Sequence, residues 1–161
     1  MIFLTTGTQL PFDRLVYWMD HFCKENPKVE CFGQIGNSSY VPNHFRSVEN
    51  LDFFEFDRAF EKAELVVAHA GMGTILTSLC EGKNLLVVPR KSAFREHRNN
   101  HQEGTAKKFS VFENCAKAET YQEFSKYIAA FLNAKSSQKT ELLPKFAPAS
   151  TLNALAEILK S

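Results

Sequence analysis

The chain has 161 residues, 44% of them hydrophobic and 23% charged, and carries a formal net charge of +1. This is the size and composition of one ordinary globular domain with a core of its own, which excludes wholesale disorder. With no Lys/Arg block, nucleic acid is not an expected partner, because phosphate binding needs clustered cations. Fifteen Phe point either to a large aromatic core or to an apolar surface that needs a partner.

The N-terminus, Met1 to Gly7, has neither a basic region nor a long apolar run, so it reads as neither signal peptide nor membrane span. Asn37-Ser38-Ser39 is then a chance match to a glycosylation acceptor. The cysteines at 23, 31, 80 and 115 form no CxxC and no Cys/His cluster. Free thiols in a reducing compartment are expected, and zinc is not.

In chain order, Ile2–Thr5 reads as a short buried strand ending in the polar loop Thr6-Gly7-Thr8-Gln9. Pro11 suits the first position of a helix, and Phe12, Leu15, Val16, Met19, Phe22 and Cys23 form its apolar stripe to about residue 25. Val29, Cys31, Gly33 and Ile35 alternate as a second strand, stopping at Gly36-Asn37. Residues 37–50 read as loop. Phe53, Phe54 and Phe56 suggest a short strand or turn beside Asp57, which would cap a helix over 58–64.

Leu65-Val66-Val67-Ala68 is an apolar run suited to a strand buried on both faces of a parallel sheet. It breaks at Gly71-Met72-Gly73 and resumes with helical spacing through Ile75, Leu76, Leu79 and Cys80. Gly82 sits where a helix C-cap glycine belongs. Leu85–Val88 is a second such run, leading into the long polar loop 90–102. A helix is expected to about Phe109, a strand near 111–115, and an amphipathic helix through Tyr121, Phe124, Ile128, Phe131 and Leu132. Residues 1–133 therefore read as the domain. Residues 134–161 read as a polar linker and a last helix marked by Leu152, Leu155, Ala156 and Leu159, whose segment 150–160 is a candidate interface.

Alternating strands and helices predict an α/β fold with a Rossmann-like parallel sheet, in which ligands bind outside the carboxyl ends of the strands. Loops 6–9, 69–74 and 90–102 should gather there. A strand, a glycine turn and a helix N-terminus make an anion site, since unpaired N–H groups and the helix dipole favour negative charge. The competing reading is a tight turn without a ligand. Arg90, Arg95, His97, Asn99, Asn100, His101 and Gln102 can bind charge and hydroxyl groups, as a sugar ligand requires. The competing reading for this loop is solvated surface. His69 is either a ligand group or a packed strand-end histidine. Glu55-Phe56-Asp57 reads as a turn and cap rather than a metal site, and the glycine turn lacks the Lys of a P-loop.

Five motifs in order carry a resemblance. They are Gly7-Thr8 with Pro11-Phe12-Asp13-Arg14-Leu15, Ala68-His69-Ala70-Gly71-Met72-Gly73-Thr74, Gly82-Lys83, Val87-Val88-Pro89-Arg90, and Glu96-His97-Arg98-Asn99-Asn100-His101-Gln102. Over roughly residues 1–132 the chain resembles the C-terminal, donor-binding half of the family 28 glycosyltransferases, the group containing MurG. Within that group it is similar to the stand-alone Alg13-like subunits, including PssE-type proteins of capsule and exopolysaccharide synthesis.

The resemblance implies one half of a GT-B fold that binds a UDP-sugar without an obligatory metal or other cofactor. It also implies a membrane-anchored Alg14-like partner, and an acceptor that is a polyprenyl-diphosphate-linked sugar. The chain would then sit at the cytoplasmic face of the membrane through that partner. Carried over by residue, Gly71, Met72, Gly73 and Thr74 face the donor diphosphate and ribose. Gln102, His101 and Asn99 face the sugar, Gly7 and Thr8 line the cleft, and Arg90 belongs to the donor site. His69 and His101 are the candidate catalytic bases, unless the partner supplies the base. Where the family often has a Glu for the ribose hydroxyls this chain has Thr77, and Glu81 lies a helical turn beyond. A non-catalytic nucleotide-sugar-binding module is the alternative that this departure supports.

Overall fold

The computed structural model describes residues 1–133. Six strands, β1 (Ile2–Thr5), β2 (Cys31–Gln34), β3 (Arg46–Val48), β4 (Leu65–His69), β5 (Asn84–Val88) and β6 (Cys115–Lys117), form one sheet in the order β3-β2-β1-β4-β5-β6. Every pairing is parallel. The helices are α1 (Asp13–Glu25), α2 (Phe53–Lys62), α3 (Met72–Cys80), α4 (His101–Phe109) and α5 (Tyr121–Asn133). The fold is Rossmann-like, as expected.

The three most apolar strands, β1, β4 and β5, lie inside the sheet because both of their faces are covered. Ile2, Leu4, Val67, Leu86 and Val88 pack with the apolar stripe of α1 and with Phe124 and Ile128 of α5. Their alternates Phe3, Val66, Ala68, Leu85 and Val87 pack with α2, α3 and Ala106 of α4. The chain winds from β1 outward to β3 and then returns to β4 on the other side of β1. The connections leaving β1 and β4 therefore part from each other, which opens a crevice at their carboxyl ends.

Four expectations need correction or fall outside the described residues. Residues 46–48, expected as loop, form β3. A three-residue edge strand pairs on one side and needs no two-sided apolar burial, so its polar sequence hides it. The Phe-rich stretch opens α2 instead of a strand. Asp52, not Asp57, caps that helix through a reciprocal capping box, with Glu55 N–H donating to Asp52 Oδ1 (2.8 Å) and Asp52 N–H to Glu55 Oε2 (3.2 Å). The last strand is Cys115–Lys117 and not 111–115, for Val111 is 78% exposed and Phe112 stacks on Phe109. The linker and final helix expected over 134–161 lie outside the described residues. Gly82, with φ +66°, does follow the end of α3.

The helix-free crossover from β2 to β3 is held by a buried carboxylate. Asp20 on α1 accepts from the Tyr40 hydroxyl (2.7 Å) and from the Asn43 and His44 N–H groups (2.8 and 2.7 Å), with His44 Nδ1 at 3.2 Å. Burial pushes its pKa up, but the donors from Tyr40, His44 and Asn43 outweigh it and hold the carboxyl below its usual value. Asp20→Ala leaves those donors without their acceptor and should cost about 2–3 kcal/mol, read from urea unfolding.

Candidate functional site

The segments after β1, β4 and β5 meet at the crevice and enclose a cavity of about 470 Å³. Of the residues singled out from sequence, Gly7, Thr8, His69, Gly71, Gly73, Thr74, Arg90 and Gln102 line it. His97, named from sequence among the third loop's charge- and hydroxyl-binding residues, lines it too, as do Thr6, Gln9 and Leu10, which were not singled out as site residues. Thr6 and Gln9 were visible only as members of the first loop, and Leu10 lies just beyond it.

The floor is the N-terminus of α3. Gly71 is its N-cap, with no side-chain cap and no acid in the first turn. The first intrahelical bond runs from Ile75 N–H to Gly71 O (3.2 Å), so the N–H groups of Met72, Gly73 and Thr74 have no acceptor within the helix. Three donors at the positive end of a helix dipole favour an anion. A Cβ built on Gly73 would meet nothing within 4 Å. The space beside these donors is therefore open, which a phosphate group requires.

His69 ends β4 in the cavity wall, and two glycines make room for its ring. A Cβ on Gly7, which has φ +77°, would lie 2.7 Å from its Cε1, and one on Gly71 would collide with Nε2. Nδ1 is buried without a hydrogen-bond partner. Burial, with the Arg90 cation second, holds the imidazole down at about 4, so it is neutral at pH 7. Between pH 4 and 6.5 the unfolded chain binds this proton and the native chain does not. Stability should accordingly fall as pH is lowered through that window, by up to about 3 kcal/mol. Urea midpoints across those pH values should show the slope, and His69→Gln should flatten it.

Arg90 was expected to meet the donor, but its guanidinium is committed elsewhere. Nη2 donates to Thr6 O and Leu10 O (both 2.7 Å), and Nη1 to Pro11 O (2.6 Å) and Glu96 O (3.3 Å). It stacks 4.7 Å from the Phe12 ring centroid and is 2% exposed. Its place is that of a brace between the first loop and the third. Its backbone N–H donates to Gln102 Oε1 (3.0 Å), which orients that amide so that the NH₂ is the group left to face a ligand. Arg14 adds a second brace, donating from Nε and Nη2 to the two carboxylate oxygens of Glu96 (2.7 and 2.8 Å) and from Nη2 to Pro89 O (2.9 Å).

Met72, Thr77, Asn99 and His101 do not line the cavity. Met72 and Thr77 are exposed on α3. Asn99 Oδ1 accepts from His101 N–H (3.3 Å) and lies 3.1 Å from His97 Nδ1, so the turn before α4 places His97, not His101, in the wall. Glu81 caps the far end of α3, about 13 Å from the N-terminal donors at 1.5 Å per residue. Glu55 and Asp57 lie on α2 and not at the cavity, and Glu55 is taken by the capping box. Among the described residues no helix is long and apolar enough to cross a membrane.

The model of the glycosyltransferase family 28 C-terminal domain matches residues 1–151. The chain belongs to this family. A human relative, "UDP-N-acetylglucosamine transferase subunit ALG13", is 34% identical over 121 residues, a match that covers 66% of this chain and 10% of that protein. The chain thus spans about a tenth of the length of this curated relative. The solution structure of ALG13 superposes with a TM-score of 0.56 at 22% identity, covering 99% of this chain and 96% of that one. MurG of Acinetobacter baumannii superposes at 0.59 with 16% identity, covering 81% of this chain and 41% of MurG. This family 28 domain is thus the Rossmann-like half of a GT-B glycosyltransferase architecture.

Proposed function

We propose that this chain is the donor-binding, catalytic subunit of a two-component inverting glycosyltransferase. The donor is a UDP-sugar, and the acceptor is a polyprenyl-diphosphate-linked sugar in capsule, exopolysaccharide or lipid-linked oligosaccharide synthesis. The observation that carries the reading is the open space over the three unpaired N–H groups of α3. A UDP diphosphate seated there has its charge balanced by preorganised donors, and the same donors stabilise the UDP leaving group as the glycosidic bond breaks.

This electrostatic role asks for no metal. Glu55 and Asp57, the one acidic pair weighed for a metal, stand away from the cavity. Gln102 offers its amide NH₂ to sugar hydroxyls. Of the two candidate bases His69 is the one in the wall, neutral and so able to accept the acceptor proton, and the partner subunit can supply a stronger base. An Alg14-like, membrane-anchored partner brings the acceptor and holds the chain at the cytoplasmic face of the membrane.

The alternative is a nucleotide-sugar-binding module without turnover. Thr77 favours it, since it leaves that position of α3 without a carboxylate for the ribose. Calorimetric titration with UDP, with ADP as control and with and without EDTA, tests the donor site. Saturable UDP binding that survives EDTA is expected. Absence of binding both alone and with the partner would overturn the reading, and binding without transfer in the reconstituted pair would select the alternative.

A further inference from the structure

Gly36 follows β2 and does not line the cavity, yet it is buried and bears directly on the cavity's first loop. Its φ of +54° lies in the left-handed region, which by itself favours a glycine. A second constraint is independent of φ. A Cβ on Gly36 would stand 2.9 Å from Gly7 O and 3.4 Å from Thr6 Oγ1, and at the first of these distances one backbone has to shift.

The sheet order makes the ends of β2, β1 and β4 neighbours, about 4.8 Å apart. Three missing side chains let the segments that leave them pack at that spacing. Gly36 receives the Gly7 carbonyl. Gly7, whose own Cβ would lie 2.7 Å from His69 Cε1, receives the ring, and Gly71, whose Cβ would collide with Nε2, receives it from the α3 side. Close contacts therefore run from the end of β2 to the N-cap of α3, where the unpaired N–H groups begin.

Hydrogen bonds leave Gly7 to this packing. Arg90 holds the carbonyls on either side of it, Thr6 O and Leu10 O, at 2.7 Å. Among the described residues Gly7 O receives only the Thr6 hydroxyl and Gly7 N–H reaches only the Thr5 hydroxyl, both at 3.4 Å, longer than a well-made hydrogen bond. The turn that carries Gly36 is anchored by contrast. Ile35 and Gly36 N–H donate to Val48 O and Glu49 O (2.9 and 2.8 Å), and the Ser38 hydroxyl and Ser39 N–H donate to Asp13 Oδ1 on α1 (2.7 and 2.8 Å). Bulk added at Gly36 is therefore passed to Gly7.

We propose that Gly36 is a positioning residue of the donor site, which sets Gly7 against the His69 ring and through that ring keeps the head of α3 open to the diphosphate. The proposal rests on the donor-site reading above and adds to it a residue outside the cavity.

Gly36→Ala and Gly36→Asn separate contact from backbone strain, since both carry the Cβ but asparagine tolerates the left-handed region. UDP affinity should fall by about tenfold or more in both, because a small misplacement of a preorganised site is costly. The urea midpoint should fall less in the Asn variant, which carries the test if the Ala variant folds too poorly to titrate. NMR titration of the His69 Cε1 proton reads the route. In the wild type its midpoint is about 4, set first by burial, and Arg90 and His97 are the charged and titratable groups that face the ring. Neither is altered, so a midpoint moving up towards 6.5 reports water admitted as the loop lifts from the imidazole. His69→Ala gives Gly7 somewhere to move. Gly36→Ala should then lower the urea midpoint less in that background than in the wild type, although a Cβ on Gly36 meets no atom of His69 within 4 Å. UDP affinity restored by the Asn variant assigns Gly36 to backbone strain and overturns the proposal. So does an unmoved His69 midpoint, or additive urea midpoints in the double variant. A wild type that binds no UDP, alone or with the partner subunit, removes the donor reading, and the His69 midpoint and the double variant then still decide whether the chain of contacts exists.

Discussion

Gly73→Asp is expected to abolish UDP binding while leaving the urea unfolding curve at or above that of the wild type. The two effects separate because of where the missing side chain points. A Cβ on Gly73 meets no protein atom within 4 Å, so the substitution displaces nothing. Aspartate in the first turn of a helix is favoured by the dipole by about 0.3–1 kcal/mol, and loss of a helical glycine adds a few tenths of a kcal/mol. At present α3 has no acid in that turn and no side-chain cap. The carboxylate would occupy the donors intended for the diphosphate and set negative charge against it. At least about a hundredfold loss of affinity follows, roughly 3 kcal/mol or more. Gly73→Ala adds bulk without charge and should lose less. Calorimetry beside urea unfolding checks both halves, and UDP binding retained in the Asp variant would remove the diphosphate from the head of α3.

How much of this site could be read in advance depended on the range of the interactions. The runs Leu65–Ala68 and Leu85–Val88 are apolar throughout because both faces of an interior parallel strand are covered, so their loops could be assigned to one edge from sequence alone. The glycine turn was legible because helix-end chemistry is local. β3 was not legible, since a short edge strand carries no apolar period. Nor was the start of α2, where the Asp52–Glu55 capping box outranked the strand preference of the phenylalanines. The role of Arg90 depends on carbonyls about eighty residues earlier in the chain, which no local pattern announces. The choice of His97 over His101 likewise depends on a turn that the Arg14–Glu96 pair builds from α1. Loops were predictable as neighbourhoods, while individual side chains within them answer to partners distant in sequence.

Arg90→Met should be the most damaging single change to the fold of the site, costing roughly 3–5 kcal/mol by analogy with breaking a buried ionic group's interactions. The methionine keeps most of the apolar stem but none of the donors, so the carbonyls of Thr6, Leu10, Pro11 and Glu96 lose their common partner. Burial already lowers the guanidinium to about 10, with Glu96 opposing, yet it remains charged at pH 7, and the carbonyls compensate its desolvation. The loops they belong to are two of the three walls of the cavity. UDP affinity should therefore drop together with stability, and limited proteolysis should begin within residues 6–11. Arg90→Lys separates charge from geometry. One ammonium has three donors at a single point and cannot span four carbonyls in the plane of a guanidinium. It should restore part of the stability but less of the affinity, because the first loop would lie slack beside His69. If Lys restored both in full, charge alone would account for Arg90. If Met left the UDP titration unchanged, loop 6–11 would hold its form without the brace, and the shape of the cavity would have to come from the glycines around His69 instead.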